Sequence, residues 1–200
     1  MKEILLTKLR DRKTTLPEFR LAALEIADLL AAEASKTVPF KRARVETPLS
    51  AAEGAIPQGR VVLVPILRSG LALVPAFLKL FPDAPIGIFG MRRDEKTAKP
   101  HLYYESIPPL HPTDHLFLLD PMIATAGSTT LAIERLSSFI SPNQITIVGL
   151  ISATPGIVAL KKHFPVVRVI TAAEDPELNA SAFIVPGIGD FGDRFFGTTS

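Results

Sequence analysis

Cysteine is absent from the 200-residue chain, which excludes a disulfide framework, a thiolate nucleophile and any cysteine-held metal. No apolar run approaches the roughly 18 residues of a membrane span. Residues 1–6 are too short for the apolar centre of a secretory leader, so a cytoplasmic protein without a membrane segment is expected. A large charge excess is missing too: 22 basic residues face 20 acidic ones, for a net charge of +2. That balance argues against a dedicated nucleic-acid surface, and a pI near 9.0 does not by itself argue for one. The four histidines, His101, His111, His115 and His163, show neither metal-ligand spacing nor a nucleophile partner, and are expected to be surface or structural.

What is present reads as a globular domain. The composition is 47% hydrophobic and 21% charged, within the range of a chain that buries a sizeable core. No internal repeat, low-complexity tract or second domain is visible, so residues 1–200 are expected to form one domain. Thr15-Leu16-Pro17-Glu18 is a helix start, with a hydroxyl cap, an early proline and a glutamate three residues on. Phe19, Ala22, Ala23, Ile26, Ala27 and Leu30 then share one helical face. The charged stretch 7–14 reads as a solvated loop, 38–45 as a weak hairpin outside the main sheet, and 51–59 as a linker. Five apolar strands are expected at 61–66, 85–90, 115–119, 144–152 and 166–172, with helices at 71–80 and 155–163 among the crossovers. Such alternation predicts a mainly parallel sheet covered on both faces, with ligands at the carboxyl ends of the strands. Residues 91–109 break the pattern, carry both tyrosines and read as a long functional loop. Residues 173–200 are rich in Gly, Pro and Asp and read as an ordered cap.

The most informative stretch follows the third strand. Leu116–Leu119 leads into Asp120-Pro121-Met122-Ile123-Ala124-Thr125-Ala126-Gly127-Ser128-Thr129-Thr130, and then into a helical pattern. Small residues at 124, 126 and 127 allow close backbone approach to a ligand. Hydroxyls at 125 and 128–130, together with the unpaired donors of a helix N-terminus, suit an oxyanion. Asp120, at the strand end, suits sugar hydroxyls or a hydrated cation. There is no Walker lysine and no G-x-G-x-x-G, and on pattern alone the phosphate reading competes evenly with an ordinary small-residue turn. Arg68 and Asp120 each stand at a predicted strand end, with Arg93 close behind another, and that convergence favours the cradle.

The segment from Asp120 to Ser128 resembles the ribosyl-phosphate loop of type I phosphoribosyltransferases, and in particular of the uracil branch, where a proline, here Pro121, replaces a second acid. The resemblance spans nearly the whole chain. Thr7–Asp11 with Phe19-Arg20 is similar to the family's amino-terminal arm, and Pro65–Leu71 to its pyrophosphate loop. Arg93-Asp94-Glu95-Lys96-Thr97 with Tyr103-Tyr104 is similar to its flap. Residues 184–190 and 192–198 are similar to its base-binding loop and carboxyl end. The implied fold is α/β, a mainly parallel five-stranded sheet flanked by helices, with an N-terminal helical arm (1–60), a sheet core (61–172) holding a flap (91–109), and a C-terminal base-binding hood (173–200).

The implied activity is transfer of ribose 5-phosphate from phosphoribosyl pyrophosphate to uracil, giving UMP and pyrophosphate in pyrimidine salvage. The donor site implied comprises Arg68, Arg93, Asp120, Pro121, Met122, Ile123, Ala124, Thr125, Ala126, Gly127, Ser128 and Asp190. The uracil site comprises Ile184, Gly189, Asp190 and Phe191, largely through backbone, and the catalytic set Asp120, Arg93 and Asp190. Mg2+ is implied as a cofactor carried by the substrate, with Asp190 reaching it through water. The resemblance implies a homodimer or higher homo-oligomer and admits activation by GTP. Asp175 and Asp193 are expected to organise loops.

Two positions depart from the family pattern: Ala126 stands where glycine is usual and Phe191 where alanine is usual. A methyl at a position needing positive φ costs on the order of 1 kcal/mol. The competing functions are a catalytically weak or base-altered paralogue that binds donor or nucleotide, and an RNA-binding pyrimidine-responsive regulator on the same fold.

Overall fold

The computed structural model describes residues 1–93 and 100–198. The chain opens with α1 (Lys2–Arg10) and α2 (Leu16–Ala34). The capping pattern at Thr15 forms as read: its N–H and hydroxyl both donate to Glu18 Oε2, at 3.0 and 2.6 Å. Of the charged stretch 7–14, residues 11–14 form a mostly exposed turn as expected, but 7–10 are the last part of α1. Leu5 and Leu9 are buried on one side of α1, and only the other side is polar, a pattern that charge density conceals.

A two-stranded antiparallel ribbon follows, β1 (Phe40–Glu46) against β2 (Ala51–Pro57), paired from Phe40↔Pro57 to Glu46↔Ala51. The expected linker is therefore its second strand. Both strands are almost wholly exposed, so neither carries a core pattern that sequence alone could register.

The central sheet contains five long parallel strands, in spatial order β4 (Ile88–Arg93), β3 (Val61–Leu67), β6 (His115–Leu119), β8 (Ile145–Ala153) and β9 (Arg168–Asp175). These are the five strands the apolar runs predict, although the second begins at Ile88 rather than Pro85. β5 (Pro100–Ser106) runs antiparallel on the outer edge of β4, and β7 (Met122–Ile123) adds two residues beside β8. The expected loop at 91–109 is thus largely a ribbon built from the end of β4 and all of β5.

Successive residues of β3 and β6 face opposite sides, and both sides are covered. Leu63, Phe117 and Leu119 join a core with α2, with α3 (Val74–Leu80) and with α6 (Phe191–Phe196). Val62, Val64, Leu116 and Leu118 join a second core with α4 (Gly127–Leu136) and α5 (Thr154–His163). His115 lies at the opposite end of the strands from the cradle, buried beside Thr37 and Thr146. No helix among the described residues is long and apolar enough to cross a membrane.

Candidate functional site

The carboxyl ends of β3 and β6 bring together the two loops singled out from sequence. β3 runs into Arg68 and a 3₁₀ turn over Ser69–Ala72. A methyl at Gly70 would stand 2.4 Å from the Leu119 carbonyl oxygen, so this turn lies directly against the end of β6. Arg68 is exposed, and its guanidinium lies 5.7 Å from the centre of the Phe196 ring. Asp120 follows Leu119; its N–H donates to the Val148 carbonyl at 3.0 Å, and its Oδ1 accepts from the Met122 N–H at 3.4 Å.

Pro121 and Ile123 are buried and root the loop in the sheet, whereas Met122 and Ala124 are half-buried and Thr125 is exposed. Ala126 caps α4 with φ 60° and ψ 14°, in the left-handed region, so the methyl does sit where glycine would be relaxed. That turn opens α4, whose N–H groups at Gly127, Ser128 and Thr129 have no intrahelical partners; the Gly127 N–H meets Thr125 Oγ1 at 3.4 Å. Thr129 Oγ1 is buried with no hydrogen-bond partner among the described residues. The loop sits close to the neighbouring helix as well: a methyl at Gly156, in the first turn of α5, would be 2.0 Å from the Ala124 carbonyl oxygen.

Arg93 is the last residue of β4, and its side chain lies outside the described residues, as do Asp94, Glu95, Lys96 and Thr97. Pro100, where β5 begins, lies against Gly127 (3.3 Å to a methyl built there), so the Arg93–Pro100 end of the ribbon stands beside the cradle. Arg135 of α4 holds that ribbon through Glu105 at 2.8 Å. Tyr103 and Tyr104 are about half exposed.

The hood closes over the same end. Ile184 is buried in β11 (Ile184–Val185), which pairs with β10 (Glu177–Leu178). Gly187 and Gly189 have φ of 63° and 75°, and the Val185–Pro186 peptide is cis. Asp190 is exposed and caps α6, its Oδ1 accepting from the Asp193 N–H at 2.9 Å. A methyl at Gly192 would meet Ser69 Oγ at 3.2 Å, which places α6 against the turn that carries Arg68.

The Phe191 ring is only 1% exposed. It packs on Phe19 at 5.7 Å between centroids and stacks on Phe195 at 5.3 Å. The phenyl group therefore fills the core. The pattern of the tail did not reveal this, because a phenylalanine after Gly-Asp reads equally well as a pocket wall.

Sequence reading missed the polar struts of the hood. Arg10, in a stretch read as solvated, forms a two-pronged ion pair with buried Asp175. The Arg10 guanidinium holds the Asp175 carboxyl below the usual carboxylate range, with the Gly187 N–H assisting, and Asp175 raises Arg10 in turn. Asp193 accepts from Thr198 Oγ1 at 2.8 Å, so both acids do organise loops. Among the described residues no three His, Asp or Glu side chains converge on a metal position.

Comparison with known proteins agrees with this geometry. The profile of the uracil phosphoribosyltransferase family matches residues 2–198. Uracil phosphoribosyltransferase of Dictyoglomus turgidum is 43% identical over 194 residues, covering 96% of this chain and 93% of its own. That of Limosilactobacillus fermentum is 40% identical over 195 residues, covering 96% and 92%. Among solved structures, the AQ2163 protein of Aquifex aeolicus superposes with a TM-score of 0.90 at 29% identity, over 99% of this chain and 95% of its own. A hypoxanthine-guanine phosphoribosyltransferase of Bacillus anthracis shares the fold alone, with a TM-score of 0.51 at 9% identity over 78% and 79% of the two chains.

Proposed function

The chain belongs to the uracil phosphoribosyltransferase family, and from that premise we propose that it transfers ribose 5-phosphate from phosphoribosyl pyrophosphate to N1 of uracil. The anomeric C–O bond breaks with its electron pair leaving on pyrophosphate, the N1–C bond forms, and N1 gives up its proton. Positive charge builds on the sugar and negative charge on the leaving group, so positioning and neutralisation dominate the catalysis.

The observation that carries this reading is the left-handed turn at Ala126, which starts α4, with its first-turn N–H groups, shortly after the strand that leads into Asp120. In the proposal these amides hold the 5-phosphate, with Thr125 and Ser128 adding hydroxyl donors. Asp120 accepts from the ribose hydroxyls. Arg68 and Arg93 neutralise pyrophosphate, a task suited to guanidinium groups that stay charged. Backbone groups at Ile184, Gly189 and Phe191 match the alternating donors and acceptors of uracil, and the buried Phe191 ring leaves room for the base.

Bound to the donor's phosphates, Mg2+ would offset their charge, as suits a cation that keeps its waters and takes few protein ligands. Exposed Asp190, through the oxygen its cap does not use, would hold it through water. We also propose a homo-oligomer. An isolated two-stranded ribbon is marginal in water, yet β1–β2 carries exposed Phe40, Ile56 and the turn residue Leu49, which is 97% exposed. A second copy would cover it.

Pyrophosphate release measured with uracil, cytosine, hypoxanthine and orotate tests the activity. Uracil turns over well above the others if the proposal holds; donor binding without turnover on any base would replace it with a binding paralogue. Asp120→Asn is expected to lower turnover sharply while the thermal transition stays in place. Unchanged kinetics would remove Asp120 from the site.

A further inference from the structure

We infer that Arg10 is a positioning residue for the base pocket, holding the loop around Gly187 in its binding shape from the far end of the chain. This rests on the reading that residues 184–191 receive uracil.

The loop has little backbone support of its own, because its ladder is only the two-residue pair β10–β11. Its polar groups must therefore find partners elsewhere. Both backbone groups of Gly187 are taken by one ion pair. Asp175, at the end of β9, accepts the Gly187 N–H on Oδ2 at 2.7 Å. Arg10 Nη1 donates to the Gly187 carbonyl at 3.0 Å and to Asp175 Oδ2 at 2.8 Å, while Nη2 donates to Asp175 Oδ1 at 2.6 Å. The guanidinium fork is essential to this arrangement, since three acceptor contacts in one plane cannot be met by an ammonium group.

A second arginine works in the opposite direction. Arg194 of α6 donates to the Ile188 carbonyl at 2.8 Å, to the Asp11 carbonyl at 2.7 Å and to the Leu9 carbonyl. It lies over the Phe19 ring at 4.2 Å. Leu9 and Asp11 end α1, where carbonyls lack intrahelical partners and the helix dipole attracts a cation. Helix α1 is thus a strut: one arginine leaves it for the loop, and another returns from the hood to its open end. The Gly187 and Ile188 carbonyls are held by the two arginines that tie the loop to α1, while the Gly187 N–H is held by Asp175 at the end of β9.

The test is steady-state kinetics of Arg10→Ala, Arg10→Lys and Asp175→Asn in the full chain, with circular dichroism as a folding control. Misplacing the loop is expected to raise KM for uracil about tenfold to a hundredfold, with KM for phosphoribosyl pyrophosphate within about twofold. Arg10→Lys should fall between wild type and Arg10→Ala, because it keeps the charge and loses the fork. Amide NMR of the wild type titrated with UMP separates the two levels of the argument. If the amides of 187–189 do not respond, the base-loop reading and this inference both fail. If they respond and Arg10→Ala leaves KM for uracil unchanged, or shifts both KM values alike, the inference alone is overturned.

Discussion

Gly156→Ala places the expectation from helix propensity against the expectation from packing. Gly156 lies in the first turn of α5, and alanine at a helical position is ordinarily worth about 1 kcal/mol over glycine. Here the added methyl would stand 2.0 Å from the Ala124 carbonyl oxygen, 2.9 Å from its carbon and 3.4 Å from the Ala126 nitrogen. Real contacts of this kind do not close below 3 Å, so one backbone has to move by about 1 Å.

Helix α5 begins directly after β8, whose nine residues are all buried, and it is pinned further along by buried Leu160. The cradle, with exposed Thr125 at its tip, is the softer partner and is expected to yield. Overpacking costs roughly 1–3 kcal/mol, which exceeds the propensity gain, so the melting temperature should fall by several degrees at most. The functional loss should be larger: a cradle displaced by about 1 Å costs on the order of a hundredfold in kcat/KM for the donor. Pyrophosphate release across a donor titration, with calorimetry on the same samples, measures both. A variant that melts higher than wild type and keeps its donor kinetics would refute the close approach of α5 to the cradle.

Three further predictions come from single residues. Ala126→Gly removes a methyl and adds chain freedom, a combination worth about 1.5 kcal/mol of loss at an ordinary helical position. Relief of the left-handed strain cancels most of it, so the melting temperature should stay within about 2 °C, and a drop beyond about 5 °C would mean that the residue is unstrained. Phe191→Ala should cost about 3–5 kcal/mol in urea unfolding, because it empties a ring wholly enclosed by Phe19 and Phe195, and a loss under about 1 kcal/mol would show that the ring is not buried.

His115 sets an acid limit. Burial, with Arg168 adding to it, lowers its pKa from 6.5 to about 4. Between those values the unfolded chain takes up a proton that the folded chain refuses, so stability is intact above pH 6.5 and declines as pH falls toward 4. The decline is on the order of 3 kcal/mol. His115→Gln should flatten that slope in urea titrations at pH 4.5, 5.5 and 7, and an unchanged slope would place the effect in another group.

The legibility of this chain in sequence depends on whether a feature is written in neighbouring residues. Strands β3, β6 and β8 are legible because both faces are buried, so each reads as a nearly continuous apolar run; the capping box at Thr15 is legible because its residues are adjacent in the chain. The cradle is legible because small residues, hydroxyls and an acid fall within eleven consecutive positions. The ribbon β1–β2 and strand β5 are not, because exposed strands carry no core pattern to mark them. Arg10 looks solvated in a run of charges, and nothing local distinguishes it from Lys8 or Arg12.

By itself, then, the sequence determined the class of fold, the order of its buried strands, the cradle and the family to which the chain belongs, all of which follow from short-range pattern and composition. Tertiary structure alone decided that the Phe191 ring turns inward, that Ala126 takes a left-handed turn, that Gly156 admits the cradle against α5, and that Arg10 and Asp175 meet across 165 residues. Those outcomes are set by which surfaces close on one another. No residue's immediate neighbours contain that information.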